Sequence, residues 1–392
     1  MTVTDTPVGD AVETVESGTI RSHLNPPPSY DLADHPVPVG TEEVWRFTPL
    51  KRLRGLLDGE PSEARLTQEN SVPAGIEVSH ITAEQAREIG EVPPSERPAA
   101  LAVSLAGGAT LVDVPAEAEI DEPMVVDLSG DSVDTRVWGH TVYRIGNHAK
   151  VTVVVRHTGS ATYCSTTSFL VGDGADVTIL SLQDWADDAV HLGRDAIRVG
   201  RDAKVKHTSI SFGGDLVRMH ANVEYDGPGG EAELLGLYFA DAGQHLEHRL
   251  FADHTAPRTK SRVTYKGALQ GQGAHTVWIG NVLIRKVAEG IDTYEENRNL
   301  VLTEGCQADS VPNLEIETGD IEGAGHASAT ARFDDEQLFY LRSRGVSEKE
   351  AQRLVVHGFF NDLIRRVGIP SIEDRLLETV EAELARNVLK ES

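Results

Sequence analysis

Thiol, imidazole and carboxylate side chains gather between Asn297 and Arg344, in the stretch NRNLVLTEGCQADSVPNLEIETGDIEGAGHASATARFDDEQLFYLRSR. It carries one cysteine (Cys306), one histidine (His326) and a row of carboxylates that includes Glu315, Glu317 and Asp320, all on β-like segments. These are the ligand types of iron and zinc chemistry. His326 lies in GAGHASAT, where small neighbours leave an imidazole open to a metal or to another surface. The plainer reading is an exposed turn histidine. Cys306 alone cannot hold a cluster that takes four ligands. It either lends one ligand to a site shared between chains or packs as a small apolar side chain. A second group, His245, His248 and His254, sits in QHLEHRLFADH. On a strand, residues three apart face opposite sides, so His245 and His248 would not chelate one ion. The run is expected to line one edge of the fold. Cys164, in ATYCSTTSF, reads as a core thiol.

Several chemistries are excluded. There is no G-x-x-x-x-G-K-[ST] phosphate loop, so the chain should not hydrolyse ATP itself, and no G-x-S-x-G elbow. The Gly-rich GPGGEAE lacks the strand-to-helix setting of a dinucleotide site. Asp and Glu number 62 against 36 Lys and Arg, a net charge of −26, which disfavours nucleic acid and anionic membrane as partners. So acidic a surface suits a high-salt host, where a Debye length of about 3 Å at 1 M removes self-repulsion. Two cysteines argue against a disulfide framework. No apolar run of about 18 residues could span a membrane. The start, MTVTDTPVGDAVETVESG, does not read as a secretory signal, so a cytoplasmic protein is expected.

The elements that must position these residues fall into four stretches. Residues 1–22 are polar and aperiodic, a frayed tail. Residues 23–98 form an N-terminal mixed and helical segment. It opens with the Pro-rich HLNPPPSYDLADHPVPVG and holds a helix capped by Thr82 with Gln85 three residues on, stopped at Gly90. Residues 99–332 alternate Val, Ile, Leu and Thr runs with Gly, Asp and Asn. Within them GNHAKV (from Gly146), GDGADV (Gly172), GRDAKV (Gly200) and GGEAEL (Gly229) recur at gaps of 26, 28 and 29 residues. A period of that size without helices predicts a β-solenoid, a β-helix, with Gly turning the corner at φ > 0 and small Ala letting the next coil approach. A β-sandwich is the alternative. Residues 333–392 are helical. Asp334 with Gln337 and Ser347 with Glu350 mark helix starts. One apolar face gathers Ala351, Leu354, Val355, Phe359 and Leu363. After Gly368–Pro370, a second gathers Leu376, Val380, Leu384 and Val388.

Three blocks resemble the SufB/SufD family of iron–sulfur cluster assembly scaffolds, the SufD branch in particular. They are EEVWRFTPL (42–50), DHTAPRTKSRVTYKGAL (253–269), and the opening stretch extended through DDEQLFYLRSRGVSEKEAQRLVVHGFF. The resemblance implies a right-handed parallel β-helix, flanked by an N-terminal segment and a C-terminal helical domain. It also implies a cytoplasmic complex with a SufB-like chain and the SufC ATPase, and no catalysis by this chain. By that likeness Phe339, Leu341, Arg342, Leu354, Val355 and Phe359 would dock SufC. His326 would face SufB, with Cys306 a possible second ligand to a transient cluster; no cofactor would be bound tightly by the chain alone. Two departures stand out. Ala324-Gly325-His326-Ala327 replaces the Cys-Ser-His-Gly frequent in SufD chains, and Ala327 replaces the Glu of SufB-like chains. Cys306 lies where SufB-like chains keep their cluster cysteine. A SufB-like chain carrying the cluster itself is therefore the alternative, a homodimer is conceivable, and a polysaccharide-active β-helix enzyme is the remote one.

Overall fold

A computed structural model of the chain describes residues 27–333 and 335–386. The expected tail at 1–22, Asp334 and Val388 lie outside the described residues. Strands β1 (Thr67–Ser71) and β2 (Glu77–Ile81) and helices α1 (Ala83–Glu88) and α2 (Arg97–Leu105) lead into β3 (Ala109–Val114) and the long bent strands β4 (Met124–Ile145) and β5 (Lys150–Val171). Beyond β5 the sheet divides. One branch stacks β7 (Val190–Val199), β9 (Leu216–Tyr225), β11 (His245–His254), β13 (His275–Ile284) and β15 (Gln307–Ile316). The other stacks β6 (Asp176–Trp185), β8 (Lys204–Ser211), β10 (Glu231–Ala240), β12 (Lys260–Leu269), β14 (Ile291–Val301) and β16 (Ile321–Arg332). Every pairing within both branches is parallel, so the chain is a parallel β-solenoid and not a sandwich.

The repeat works differently from the expectation. Gly146, Gly172 and Gly200 do not have positive φ. A Cβ on them would lie 2.3 Å from Ala116 N, 2.7 Å from Asn147 N and 2.7 Å from the Gly172 carbonyl carbon, so they are glycines because the preceding coil's backbone passes there. The left-handed turn comes two residues later, at His148 (φ 58°), Gly174 (66°) and Asp202 (53°), and again at Gly229 (78°). The register pairs Glu231 with Lys204, so Gly227, not Gly229, is the partner of Gly200 and the last gap is 27 residues.

Sequence patterning also missed elements near the N-terminus. The apolar run PAALAVSL, which fits a buried strand or a helix, is α2, with Pro98 in its first turn, so the β region opens at Ala109 rather than Ala99. The exposed polar strands β1 and β2 carry no apolar alternation to reveal them. The Thr82–Gln85 capping box forms as expected.

The first family-like block is a plug. Trp45 is buried and its ring lies 4.2 Å from the Arg218 guanidinium carbon, while Thr48 Oγ1 donates to Glu247 Oε2 at 2.7 Å. Arg218, itself buried, also binds Glu96 (2.9 Å) and Glu247 (3.2 Å). Burial pushes both carboxyls up, but Arg218 with His220 beside Glu96, and His245, Arg218 and Arg249 beside Glu247, outweigh it and hold both well below the usual carboxylate range. The second block fastens the C-terminal helices α3 (Asp335–Ser343), α4 (Glu348–Val367) and α5 (Pro370–Arg386). Lys266 Nζ reaches the Phe359 carbonyl at 2.7 Å and the Asp362 carboxylate. Gly267 leaves room for the Tyr238 ring, which a Cβ would meet at 1.9 Å. Leu180, Ile210, Leu237 and Phe239, on the outer face of one branch, pack on Val356, Phe360 and Leu363 of α4 and Leu376, Val380 and Leu384 of α5. The α4 face is therefore rotated from the expected one: Leu354 is 44% exposed and Val356 and Phe360 take its place.

Arg218→Met should destabilise the chain by about 3–5 kcal/mol in denaturant unfolding, because the buried Glu96 and Glu247 would lose the cation they share, leaving Glu96 only His220 and Glu247 only His245 and Arg249 as basic partners. A loss below about 1 kcal/mol would show that the plug does not depend on this charge.

Candidate functional site at the open end of the solenoid

β15 and β16 end the two branches, so among the described residues their outer backbone edges meet no further coil. His326 sits on β16, paired in register with Glu295 of β14. Register partners in parallel strands share a face. Glu295 alternates with Thr293, Asn297 and Asn299 as a buried, inward-pointing residue. His326 thus occupies the interior position of the last coil, and with no coil above it the imidazole is 44% exposed. Its Nδ1 is 3.9 Å from Glu295 Oε1.

Glu295 was not foreseen. It lies 31 residues before His326, one coil's length, and that spacing was the available signal. Its side chain crosses the interior to Gly280 of β13, where a Cβ would lie 2.3 Å from Oε2, and neither oxygen has a hydrogen-bond partner among the described residues. Burial pushes its carboxyl up to about 8. Below this pair, Tyr238, Asn297, Asn299 and Ser310 form a buried hydrogen-bonded web. Tyr238 donates to Asn299 Oδ1 (2.7 Å), Asn297 Nδ2 to Tyr238 Oη (2.8 Å), and Ser310 to Asn297 Oδ1 (2.5 Å).

Cys306 takes a different position. It precedes β15, the terminal strand of the other branch, and is half-buried against the main core. Its Sγ lies 3.3 Å from the Gly271 carbonyl and 3.5 Å from Thr303 Oγ1. Glu317 is exposed and accepts from the Lys286 amide at 3.2 Å, while the Asp320 carbonyl takes the Gly290 amide at 2.9 Å. Among the described residues, no three His, Cys, Asp or Glu side chains converge as a metal cage. Cys164 is a core thiol, fully buried, with its pKa raised by burial. The three histidines of QHLEHRLFADH do not line an edge. His245 faces outward beneath Thr48 and Glu247, His248 faces inward against Tyr238, and His254 stacks on Tyr225; all three are buried. The helices add a second feature: Phe339 (74%), Tyr340 (57%) and Leu354 (44%) are exposed, whereas Val355 and Phe359 are half-buried against the solenoid. Leu341 is half-buried, and Arg342 pairs with Glu348 at 3.3 Å. No helix among the described residues is long and apolar enough to cross a membrane.

The chain is thus a parallel solenoid with an exposed imidazole at its open end and apolar side chains exposed on a helical appendage. Residues 128–359 match the model of the SUF system FeS cluster assembly, SufBD core domain. The chain is 50% identical over 366 residues to an iron–sulfur cluster assembly SufBD family protein of Mycobacterium bovis, covering 91% of each. It is 48% identical to one of Mycobacterium leprae over 91% of this chain and 93% of that one. The iron–sulfur cluster assembly protein SufD of Bacillus subtilis is 24% identical over 73% of this chain and 66% of its own length. The chain belongs to the SufBD family of iron–sulfur cluster assembly proteins. That membership displaces the polysaccharide-enzyme alternative.

The Glu295 pKa fixes a pH dependence. The unfolded carboxyl titrates near the model-peptide value of about 4.3, and the folded one near 8. Between those values the folded chain holds a proton that the unfolded chain has released, so stability should fall as pH rises through that window and level off above it. Denaturant midpoints of wild type and Glu295→Gln should diverge from pH 5 to pH 8 in favour of the variant. Parallel curves would mean that Glu295 is ionised in the fold.

Proposed function

We propose that the chain is a SufD-like, non-catalytic scaffold subunit. The open end of its solenoid docks on a SufB-like chain, its helical domain recruits a SufC-like ATPase, and His326 contributes to a nascent iron–sulfur cluster. The cluster is cargo in this reading, not a resident cofactor. The observation that carries it is His326 itself, an exposed imidazole at the interior position of the last coil, flanked by two strand edges that another solenoid can continue. A cluster that takes four ligands needs donors from a second chain, because no protein cage forms here among the described residues. Cys306, packed inward with its thiol on the Gly271 carbonyl, is the weaker donor and enters only if the turn before β15 opens. Exposed Phe339, Tyr340 and Leu354 support the ATPase-docking role, with Leu341 and Arg342 beside them. Val355 and Phe359 serve more to hold α4 on the solenoid.

Anaerobic co-purification of the tagged chain from its own host at native salt, with subunit identification and iron and sulfide assay, tests the reading. A SufB-like chain and a SufC-like ATPase should come with it. His326→Ala should lower iron and sulfide in the complex without loss of subunits. Phe339→Asp should weaken ATPase recovery by about 2 kcal/mol or more, roughly 30-fold. Recovery of a homodimer with no such partners, or wild-type iron in His326→Ala, would sink it.

A further inference from the structure

We infer that His245 and His275 form a binding site for one divalent transition-metal ion of the imidazole-preferring class, such as Fe²⁺, Co²⁺ or Zn²⁺, distinct from the His326 tip. The two residues open β11 and β13 and are register partners on adjacent coils. Their Nδ1 atoms are 3.2 Å apart. Each ring turns its other nitrogen to a carboxylate: His245 Nε2 lies 3.2 Å from Glu247 Oε2, and His275 Nε2 lies 2.7 Å from Asp309 Oδ2. An ionised carboxylate only accepts hydrogen bonds, so both Nε2 atoms carry the ring proton. In neutral rings this leaves two lone pairs facing one another at hydrogen-bond distance, an arrangement that only a cation between them stabilises.

A proton and a metal ion both meet that need, and two features select the metal. With the Nδ1 atoms 3.2 Å apart and the ring centroids only 4.8 Å apart, the two lone pairs meet at an angle rather than in line as a shared proton prefers. Two nitrogens each about 2.0–2.1 Å from one ion lie roughly 3.0–3.4 Å apart, which brackets the observed separation. A carboxylate on the far nitrogen of each ring is also the usual support of a metal-ligating histidine. Arg52, a plug cation whose charge reaches His245, is tied to Asp215 (2.6 Å) and the Gly243 carbonyl (2.8 Å). His245 is buried, whereas the His275 and Asp309 side chains are 23% and 26% exposed and give solvent access. No third protein ligand converges among the described residues, so water fills the remaining positions. Gln307, register partner of His275, donates to Asp309 at 2.7 Å and fixes the carboxylate.

The untagged full-length chain, stripped with chelator under reducing conditions, should be titrated with Co²⁺ by calorimetry and by the visible Co²⁺ absorption, then displaced with Zn²⁺. Wild type should bind one equivalent. His275→Gln, at a partly exposed position, should lose it while keeping its far-UV circular dichroism. Asp309→Asn should weaken it by about 10–100-fold. His326→Ala and Cys306→Ser should keep it, which separates this site from the cluster-building one. The inference fails if wild type shows no saturable binding, if His275→Gln retains the equivalent, or if Asp309→Asn binds as tightly as wild type. It also fails, leaving the scaffold reading intact, if the equivalent is lost in His326→Ala instead.

Discussion

In-register stacking of parallel coils is the constraint on which everything else rests. Each coil satisfies its backbone hydrogen bonds on its two neighbours and buries its inward side chains between them. Two conditions follow for the chain. Corners must superpose, which the ladder of left-handed residues at His148, Gly174, Asp202, Gly229 and Arg258 achieves. Residues where backbones pass closest must lack a side chain, as at Gly172 and Gly200. A stack of this kind must also stop. Where it stops it presents two strand edges and an uncovered interior, and that is where His326 stands.

The interior is not uniformly apolar. Glu295, Asn297, Asn299, His248 and His254 lie within it beside Tyr238, Tyr265 and Trp278. Most are paired, as the web of Tyr238, Asn297, Asn299 and Ser310 illustrates. Such groups are costly when unpaired and specify one arrangement when paired. The ion cluster around Arg218 plays the same part on the outside, locking the Trp45 segment against β9 and β11. Each joins residues of a family-like block, Trp45 and Thr48 in one case and Asn297, Asn299 and Ser310 in the other, to partners outside it, Arg218 and Glu247 or Tyr238.

Much of this was legible in advance. The Gly-x-x-Ala unit revealed the solenoid because corner geometry recurs in sequence at the coil length. It misled at Gly229, where the shared letters were offset by two residues from the true register, since both Gly227 and Gly229 answer a steric demand. Thr82, Gly345 and Gly368 marked helix ends correctly. β1 and β2 were invisible because their side chains face water on both sides. Leu354 and Val356 stand about 200° apart on a helix, and periodicity chose the wrong one because Ala351, Leu354, Val355, Phe359 and Leu363 also make an apolar stripe; only packing on the solenoid shows which stripe is buried. His326 and Cys306 were visible as residue types, but not their partners. Glu295 and His275 sit one coil away from His326 and His245, and only the register joins them.

Strands in the stack advance by about 4.8 Å per coil, so the distance from the Trp45 plug to the His326 tip is quantised. Gaining or losing one coil of roughly thirty residues moves the tip by a single step along the axis while leaving its chemistry untouched. A family built this way can tune its reach to its partners as a ruler is cut, by whole divisions, and each cut preserves the fold on both sides of it.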